Sequence, residues 1–111
     1  MLMFHFTKPA SHASARQGLD MLLMALSLDQ PCCAVYSGKA ILQLLEPKGS
    51  FDPLKKLGLL DAVFDFAEIY VDSASLAENH LLASSFRVPV KVIDSLKIEQ
   101  LNQQAKHKLQ F

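Results

Sequence analysis

The chain has 111 residues, of which half are apolar and 20% are charged. This length fits one domain over residues 1–111, and the composition excludes a disordered or low-complexity chain. Eleven basic and eleven acidic residues cancel, so the positive excess typical of nucleic-acid-binding domains is missing, and no direct nucleic-acid partner is expected.

The longest apolar stretch, Leu19–Leu28, is far shorter than the ~20 residues of a membrane span. Adjacent strand residues point to opposite faces, so Cys32 and Cys33 cannot cross-link the fold, and we expect a reduced, cytoplasmic protein.

Apolar runs of strand length alternate with segments that favour helices. Ser14 is the predicted N-cap of the first helix and Ser95 of the last, while Gly58 is expected to break a short helix. The predicted elements, in chain order, are a strand at Leu2–Phe6, a helix at Ser14–Leu28, a strand at Cys32–Tyr36, a helix at Lys39–Leu45, a loop at Glu46–Pro53, a helix at Leu54–Leu60, a strand at Glu68–Val71, a helix at Ser73–Ala83, a strand at Val88–Ile93, a helix from Ser95 to about Ala105 and an edge strand at Lys108–Phe111. Because the strands are continuously apolar, helices should cover both faces of the sheet. This pattern predicts the α/β class, with three α/β/α layers around a mainly parallel five-stranded sheet.

The first predicted helix is apolar around nearly its whole circumference. Its apolar side chains are Leu19, Met21, Leu22, Leu23, Met24, Ala25, Leu26 and Leu28. A helix of this kind must be covered on both sides. In so small a domain we expect another subunit to supply the second cover, with covering loops as the alternative.

Charge is distributed unevenly along the chain. Residues 57–85 carry five acidic groups and no basic one, whereas residues 86–111 carry a net charge of +3. Solvated edges of the sheet explain this distribution, and an acidic patch that meets a basic partner is the alternative.

Ligands of open parallel sheets bind beyond the carboxyl ends of the strands. The polar loops predicted there are Thr7–Ser14, Ser37–Lys39, Asp72–Ser75 and Asp94–Ser95. Gly38 and Lys39 lack the other residues of a nucleotide-binding phosphate loop, although the amides at that helix start could hold a small anion. Asp72 lacks the accompanying acid pair that would hold Mg²⁺ beside a phosphoacceptor aspartate.

Cys33 and Cys32 are the only sulfur nucleophiles of the chain. They lie in a buried predicted strand with no base next to them in sequence, which favours inert over reactive thiols. The four histidines lack the paired spacing of a metal site, so neither a metal nor a cofactor is expected. His12 is the histidine that lies on a predicted ligand-facing loop.

Several short stretches follow a recognisable order along the chain: Ala15–Asp20, Ile41–Leu45, Leu54–Asp61, Ser75–Leu76 and Lys108–Phe111. Together they resemble the DsrE/F family, in particular its sulfur-relay proteins of the TusC/DsrF type, over essentially the whole chain. Two places depart from the family pattern. Gly38-Lys39 lacks an acidic residue before the glycine, and Asn79-His80 stands where Arg-Gly is expected.

The resemblance implies a parallel-sheet α/β/α fold and a dimer of heterotrimers with related chains of the DsrE/TusD and DsrH/TusB types; self-association without those chains is left open. It also implies that a cysteine of the DsrE/TusD-type chain, at the end of the third-strand region, carries a persulfide. That sulfur passes either to the wobble uridine of tRNA or into cytoplasmic sulfur oxidation. Asp72 occupies the position of that cysteine in this chain, and a carboxylate cannot carry sulfane sulfur.

The resulting hypothesis is a non-catalytic subunit of a sulfur-relay complex, which helps to shape the pocket for the persulfide of its partner. The residues expected to face that pocket or the partner are His12, Ser14, Arg16, Gly38, Lys39, Asp72 and Ser75. Two alternatives stay open: a sulfurtransferase that uses Cys33 or Cys32, and a domain that senses a small anion or ligand.

Overall fold

The computed structural model describes residues 1–45 and 52–111, so most of the predicted loop at Glu46–Pro53 lies outside the described residues. The strands are β1 (Leu2–Phe6), β2 (Cys32–Tyr36), β3 (Ile69–Asp72), β4 (Lys91–Ile93) and β5 (His107–Gln110). The α-helices are α1 (Ala13–Ser27), α2 (Pro53–Phe64), α3 (Ser73–Glu78) and α4 (Ser95–Gln104). Two 3-10 helices span Gly38–Leu44 and Ala83–Ser85. No helix among the described residues is long and apolar enough to cross a membrane.

The described residues form one five-stranded sheet in the order β4-β3-β2-β1-β5, and every neighbouring pair of strands is parallel. The α/β class, the five strands and the position of the last strand at an edge are thereby confirmed. Each connection between successive strands carries a helix, as parallel pairing requires.

Helices cover the two faces of the sheet unequally. Helices α1, α2 and α3 and the first 3-10 helix pack on one face, around buried side chains such as Phe4, Phe6 and Tyr36. On the other face α4 alone contributes Leu101, which packs with Met3 and Cys33. The three-layer prediction is confirmed, with a larger and a smaller apolar core.

Several predicted boundaries were wrong, mostly at helix ends. The side chain of His12, not Ser14, caps α1, and that of Asp94, not Ser95, caps α4. Gly58 does not interrupt α2, because the helix runs continuously from Pro53 to Phe64 and buries Leu57 and Leu60 on either side of the glycine.

Two elements are shorter than predicted, and one has a different helix type. Helix α3 ends at Glu78 instead of Ala83, because the chain turns at Asn79 and His80. Strand β4 begins at Lys91 instead of Val88, beyond Pro89, which cannot donate a backbone hydrogen bond to a neighbouring strand. The predicted helix at Lys39–Leu45 is the 3-10 helix Gly38–Leu44.

Gly18 lets α1 approach the sheet closely. A Cβ atom on Gly18 would lie 2.8 Å from Cγ of Phe111 and would also overlap the ring of Phe6. The two rings stack on each other with their centroids 5.7 Å apart, and Phe6 also stacks on Tyr36 at 4.7 Å. The glycine at the centre of the Ala15–Asp20 stretch is therefore required by helix–sheet packing.

Candidate functional site

The candidate site lies at the carboxyl edge of the sheet and centres on the carboxylate of Asp72, at the end of β3. One oxygen of this carboxylate accepts a hydrogen bond from the backbone N–H of Ala74 at 3.2 Å, and the other accepts from the hydroxyl of Ser75 at 3.0 Å. Asp72 is thus the N-cap of α3. Both oxygens take part in holding the turn between strand and helix.

Ser75 connects Asp72 to the turn after β2. Its buried hydroxyl oxygen accepts a hydrogen bond from the backbone N–H of Gly38 at 2.7 Å. Gly38 has a φ of +60°, a conformation that glycine adopts without steric cost. The first amide of the 3-10 helix is therefore already bound within the protein, which removes one of the amides that the sequence suggested for a small anion.

Asn79 extends the same network to Lys39. Its side-chain oxygen accepts a hydrogen bond from Nζ of Lys39 at 2.8 Å, and its nitrogen donates to the carbonyl of Ser75 at 2.8 Å. The structure brings together four residues predicted for the site: Gly38, Lys39, Asp72 and Ser75. Asn79 was noted in the sequence only as a departure from a family pattern. Its bridging role depends on a contact across 40 residues of sequence.

His5 and Ser37 form a second polar pair at this edge. Nε2 of His5 lies 2.5 Å from the hydroxyl oxygen of Ser37, while the buried Nδ1 has no hydrogen-bond partner among the described residues. Burial lowers the pKa of His5, the positive charge of Lys108 lowers it further, and the carboxylate of Asp72 opposes both effects. Sequence reasoning did not select His5, although it is the one polar residue in the otherwise apolar β1.

The remaining predicted residues lie at the start of α1. Nδ1 of His12 accepts a hydrogen bond from the backbone N–H of Ser14 at 3.2 Å and lies 2.8 Å from the hydroxyl of Ser14. Arg16 is exposed one turn further along the helix. No hydrogen bond of the described residues joins His12 or Ser14 to the Asp72 network, so these two residues serve the local geometry of the helix start.

The sequence of strand connections changes direction between β1 and β5, which is where ligands of open parallel sheets bind. Here the chain itself occupies that crevice. The backbone N–H and the hydroxyl of Thr7 both donate to the carbonyl oxygen of Phe111, at 2.6 and 3.0 Å. The loop after β1 is thus tied to the segment after β5.

The two cysteines lie inside β2, away from this edge. Cys33 is 2% exposed, and burial raises its pKa to about 11. Burial also raises the pKa of Cys32, whose thiol donates a hydrogen bond to the carbonyl of Gln30 at 3.2 Å. Neither thiol has the exposure or the lowered pKa that a sulfur nucleophile requires. Among the described residues there is also no group of three or more potential ligands that could hold a metal ion.

Comparison with known proteins identifies the family. The sequence profile of the DsrE/DsrF-like family matches residues 1–111, the whole of the chain. The chain belongs to this DsrE/DsrF-like family. The resemblance found in the short motifs is thereby confirmed.

Curated relatives of this DsrE/DsrF-like chain carry the name "Protein TusC homolog". One from Vibrio vulnificus strain YJ016 is 29% identical over 97 residues, which cover 84% of this chain and 82% of the relative. One from Vibrio parahaemolyticus is 30% identical over 108 residues, covering 93% and 91% of the two chains. The crystal structure of the ychN protein from E. coli superposes with a TM-score of 0.82 at 12% identity, over 99% of this chain and 97% of that one. This last similarity shows the fold alone.

One departure from the family pattern has a visible structural consequence. His80, which stands where the resemblance leads us to expect glycine, has a φ of +54°. The backbone N–H of the following Leu81 donates to the carbonyl of Leu76 at 3.0 Å, which closes α3 in the way that usually employs glycine. Histidine occupies this left-handed position at a steric cost.

Proposed function

We propose that this protein is the non-catalytic, TusC-type subunit of a cytoplasmic sulfur-relay complex. The persulfide is carried by a cysteine of a related DsrE/TusD-type chain, and a DsrH/TusB-type chain completes the assembly. The observation that carries this proposal is the state of Asp72. At the position where the related chain is expected to carry its cysteine, this chain has a carboxylate whose two oxygens cap α3 and hold Ser75.

The state of the thiols supports the same function. A persulfide carrier must present a thiolate to its donor and to its acceptor, whereas Cys33 is buried and its pKa is raised to about 11. The hydrogen-bonded turns at Gly38, Asp72 and Asn79 form a fixed surface against which a partner can build its pocket. The chain contributes shape to the reaction and leaves sulfur chemistry to its partner.

The destination of the sulfur is proposed to be the wobble uridine of tRNA. The name of the curated relatives, TusC homolog, favours this destination over sulfur oxidation. Deletion of the gene is therefore expected to abolish 2-thiouridine in tRNA, measured by mass spectrometry of digested tRNA, while sulfur oxidation is unaffected. Normal thiolation in the deletion strain would contradict this part of the proposal.

The assembly is tested by co-expression with the DsrE/TusD-type and DsrH/TusB-type chains of the same organism. Size-exclusion chromatography with light scattering should show one complex that contains all three chains. After incubation with a persulfide donor, intact-mass spectrometry should find the added sulfur atom on the DsrE/TusD-type chain and none on this one. A chain that stays apart from both relatives, or that itself gains and passes on sulfur, would refute the proposal and favour a sulfurtransferase.

Two substitutions of Asp72 test whether its carboxylate only stabilises the fold or also takes part in sulfur transfer. Asn is as good an N-cap as Asp, so complementation of the deletion strain with Asp72→Asn should preserve tRNA thiolation. Asp72→Ala removes the cap and should lower the free energy of unfolding by about 0.5–2 kcal/mol. Asp72→Asn removes both the charge and the acceptor of the Ser75 hydroxyl, so loss of thiolation in a stably folded Asp72→Asn protein would show that the charge or this hydrogen bond takes part.

A further inference from the structure

Helices α1 and α2 lie side by side on one face of the sheet and leave an apolar strip exposed. Along α1 the strip consists of Met24 and of Leu28, the C-cap residue that directly follows the helix; they are 63% and 66% exposed. On α2 it consists of Leu59 and Val63, which are 57% and 65% exposed. Residues three or four apart share a helix face, so each pair forms a continuous stripe. We call these four side chains the α1–α2 strip.

An ion pair joins the two helices where the stripes begin. Asp20, one turn before Met24, pairs with Lys56, which lies one turn before Leu59. Both helices run from the carboxyl edge of the sheet towards its amino edge, since each connects the end of one strand to the start of the next. The two stripes therefore run alongside each other from this ion pair to the ends of the helices.

The strip ends at a cleft of about 750 Å³ at the amino edge of the sheet. Apolar side chains, including Leu26, Val63 and Phe64, and three aspartates, Asp29, Asp61 and Asp65, line this cleft. No lysine or arginine is among its lining residues, and the ion pairs of the described residues leave all three aspartates without a basic partner. The carboxyl ends of α1 and α2 also point their partial negative charge at this place.

We propose that the α1–α2 strip and this cleft are the docking surface for a partner subunit, which lays apolar side chains on the strip and inserts an arginine or lysine side chain into the cleft. The proposal rests on the proposed function, because the partner is one of the two related chains of the complex. Charge complementarity selects this occupant. An acidic cleft with apolar walls matches the aliphatic stem and cationic head of a basic side chain, whereas anionic lipid headgroups and nucleic acid would be repelled.

The sharpest test neutralises two of the aspartates without changing their shape. In Asp61→Asn/Asp65→Asn the side chains keep their volume, and asparagine tolerates the left-handed conformation that Asp65 adopts, with a φ of +54°. The matched control is Glu78→Gln/Glu99→Gln, which removes the same charge from exposed positions on α3 and α4. Each protein is titrated, at low and at high salt, into the purified pair of DsrE/TusD-type and DsrH/TusB-type chains.

We expect the aspartate variant to bind the pair at least about tenfold more weakly than the wild type and to lose most of the salt dependence of binding, with the control unchanged. The strip is tested in the same way by Val63→Ser, with Leu96→Ser as its control, since Leu96 is 66% exposed on the opposite face of the sheet. Val63→Ser should weaken binding and Leu96→Ser should not.

The outcomes separate this inference from the proposed function. A wild-type chain that does not bind the pair at all refutes the proposed function. Binding by the wild type that survives Asp61→Asn/Asp65→Asn and Val63→Ser refutes the docking surface alone. If these variants instead abolish a homodimer of the isolated chain and leave partner binding intact, a second copy occupies the surface and our choice of occupant is wrong.

Discussion

His5 shows how one buried polar residue links stability to pH. Burial and Lys108 lower its pKa below the ordinary value of 6.5, so the folded protein favours the neutral ring. The unfolded chain then binds more protons than the folded one as the pH falls below 6.5. The stabilisation is present in full above that pH and is lost as the pH falls through the pKa of the folded state.

We therefore expect the free energy of unfolding, measured by denaturant titration, to decrease as the pH is lowered from about 7.5 towards about 5, a range that brackets the ordinary pKa of histidine. His5→Gln should reduce this decrease. The exposed His107 provides the control, and His107→Gln should preserve the wild-type slope. An unchanged slope in His5→Gln would contradict the assignment.

Cys33 gives a second prediction at the residue scale. With a pKa of about 11, roughly one thiol in a thousand is ionised at about pH 8, and the side chain is almost completely buried. Iodoacetamide should therefore fail to alkylate the native protein at a measurable rate, as followed by intact-mass spectrometry. Unfolding in denaturant should make both Cys32 and Cys33 react, which verifies that the thiols were free. Rapid labelling of the native protein would revive the sulfurtransferase alternative.

At the scale of elements, two glycines within helices make opposite predictions. Gly18 faces the rings of Phe6 and Phe111, whereas a Cβ on Gly58 would meet no atom within 4 Å. Gly58→Ala should raise the free energy of unfolding by about 1 kcal/mol through better helix propensity. Gly18→Ala should lower it by about 1–3 kcal/mol, because the buried rings must move. Thermal and denaturant unfolding of both variants check this contrast, which fails if the two changes have the same sign.

The end of α3 provides a further prediction for an element. His80 holds a left-handed conformation that glycine adopts without strain, so His80→Gly should raise the free energy of unfolding by about 0.5–1 kcal/mol. Ala77→Gly, one turn earlier and inside the helix, should lower it by up to about 1 kcal/mol. Equal effects of the two substitutions in denaturant unfolding would show that the helix end is not strained.

Local sequence signals predicted most elements and few of their ends. The strands β1 and β2 were predicted with their correct bounds. Both lie in the interior of the sheet, and their apolar runs reflect this burial. Strand β4 was predicted too long, since Val88 and Val90 pack against the core from outside the sheet and imitate a strand in composition. The predicted N-caps lie one or two residues from the observed ones. Neighbouring polar side chains, such as those of His12 and Ser14, can each accept a hydrogen bond from the first amides of a helix, so the sequence alone does not distinguish between them.

Part of the membership of the candidate site was predictable, and its connections were not. Strand ends pointed to Gly38, Asp72 and Ser75. The bond from Gly38 to Ser75 joins residues 37 positions apart, and its existence follows from the parallel register of β2 and β3. Pairing of this kind depends on the whole sheet, so no local pattern could show that the amide of Gly38 is already engaged.

At the scale of the whole molecule, the course of the chain has a consequence for biosynthesis. Strand β1 is made first, yet one of its two neighbours in the sheet is β5, and Thr7 bonds to Phe111 across 104 residues of sequence. During translation the nascent chain can therefore pair β1 with β2, but it cannot close the far side of β1 until β5 and Phe111 have left the ribosome. Until that moment the rings of Phe4 and Phe6 lack their stacking partner Phe111 and the edge of β1 is unpaired, so this interval is when the polypeptide is most vulnerable to aggregation.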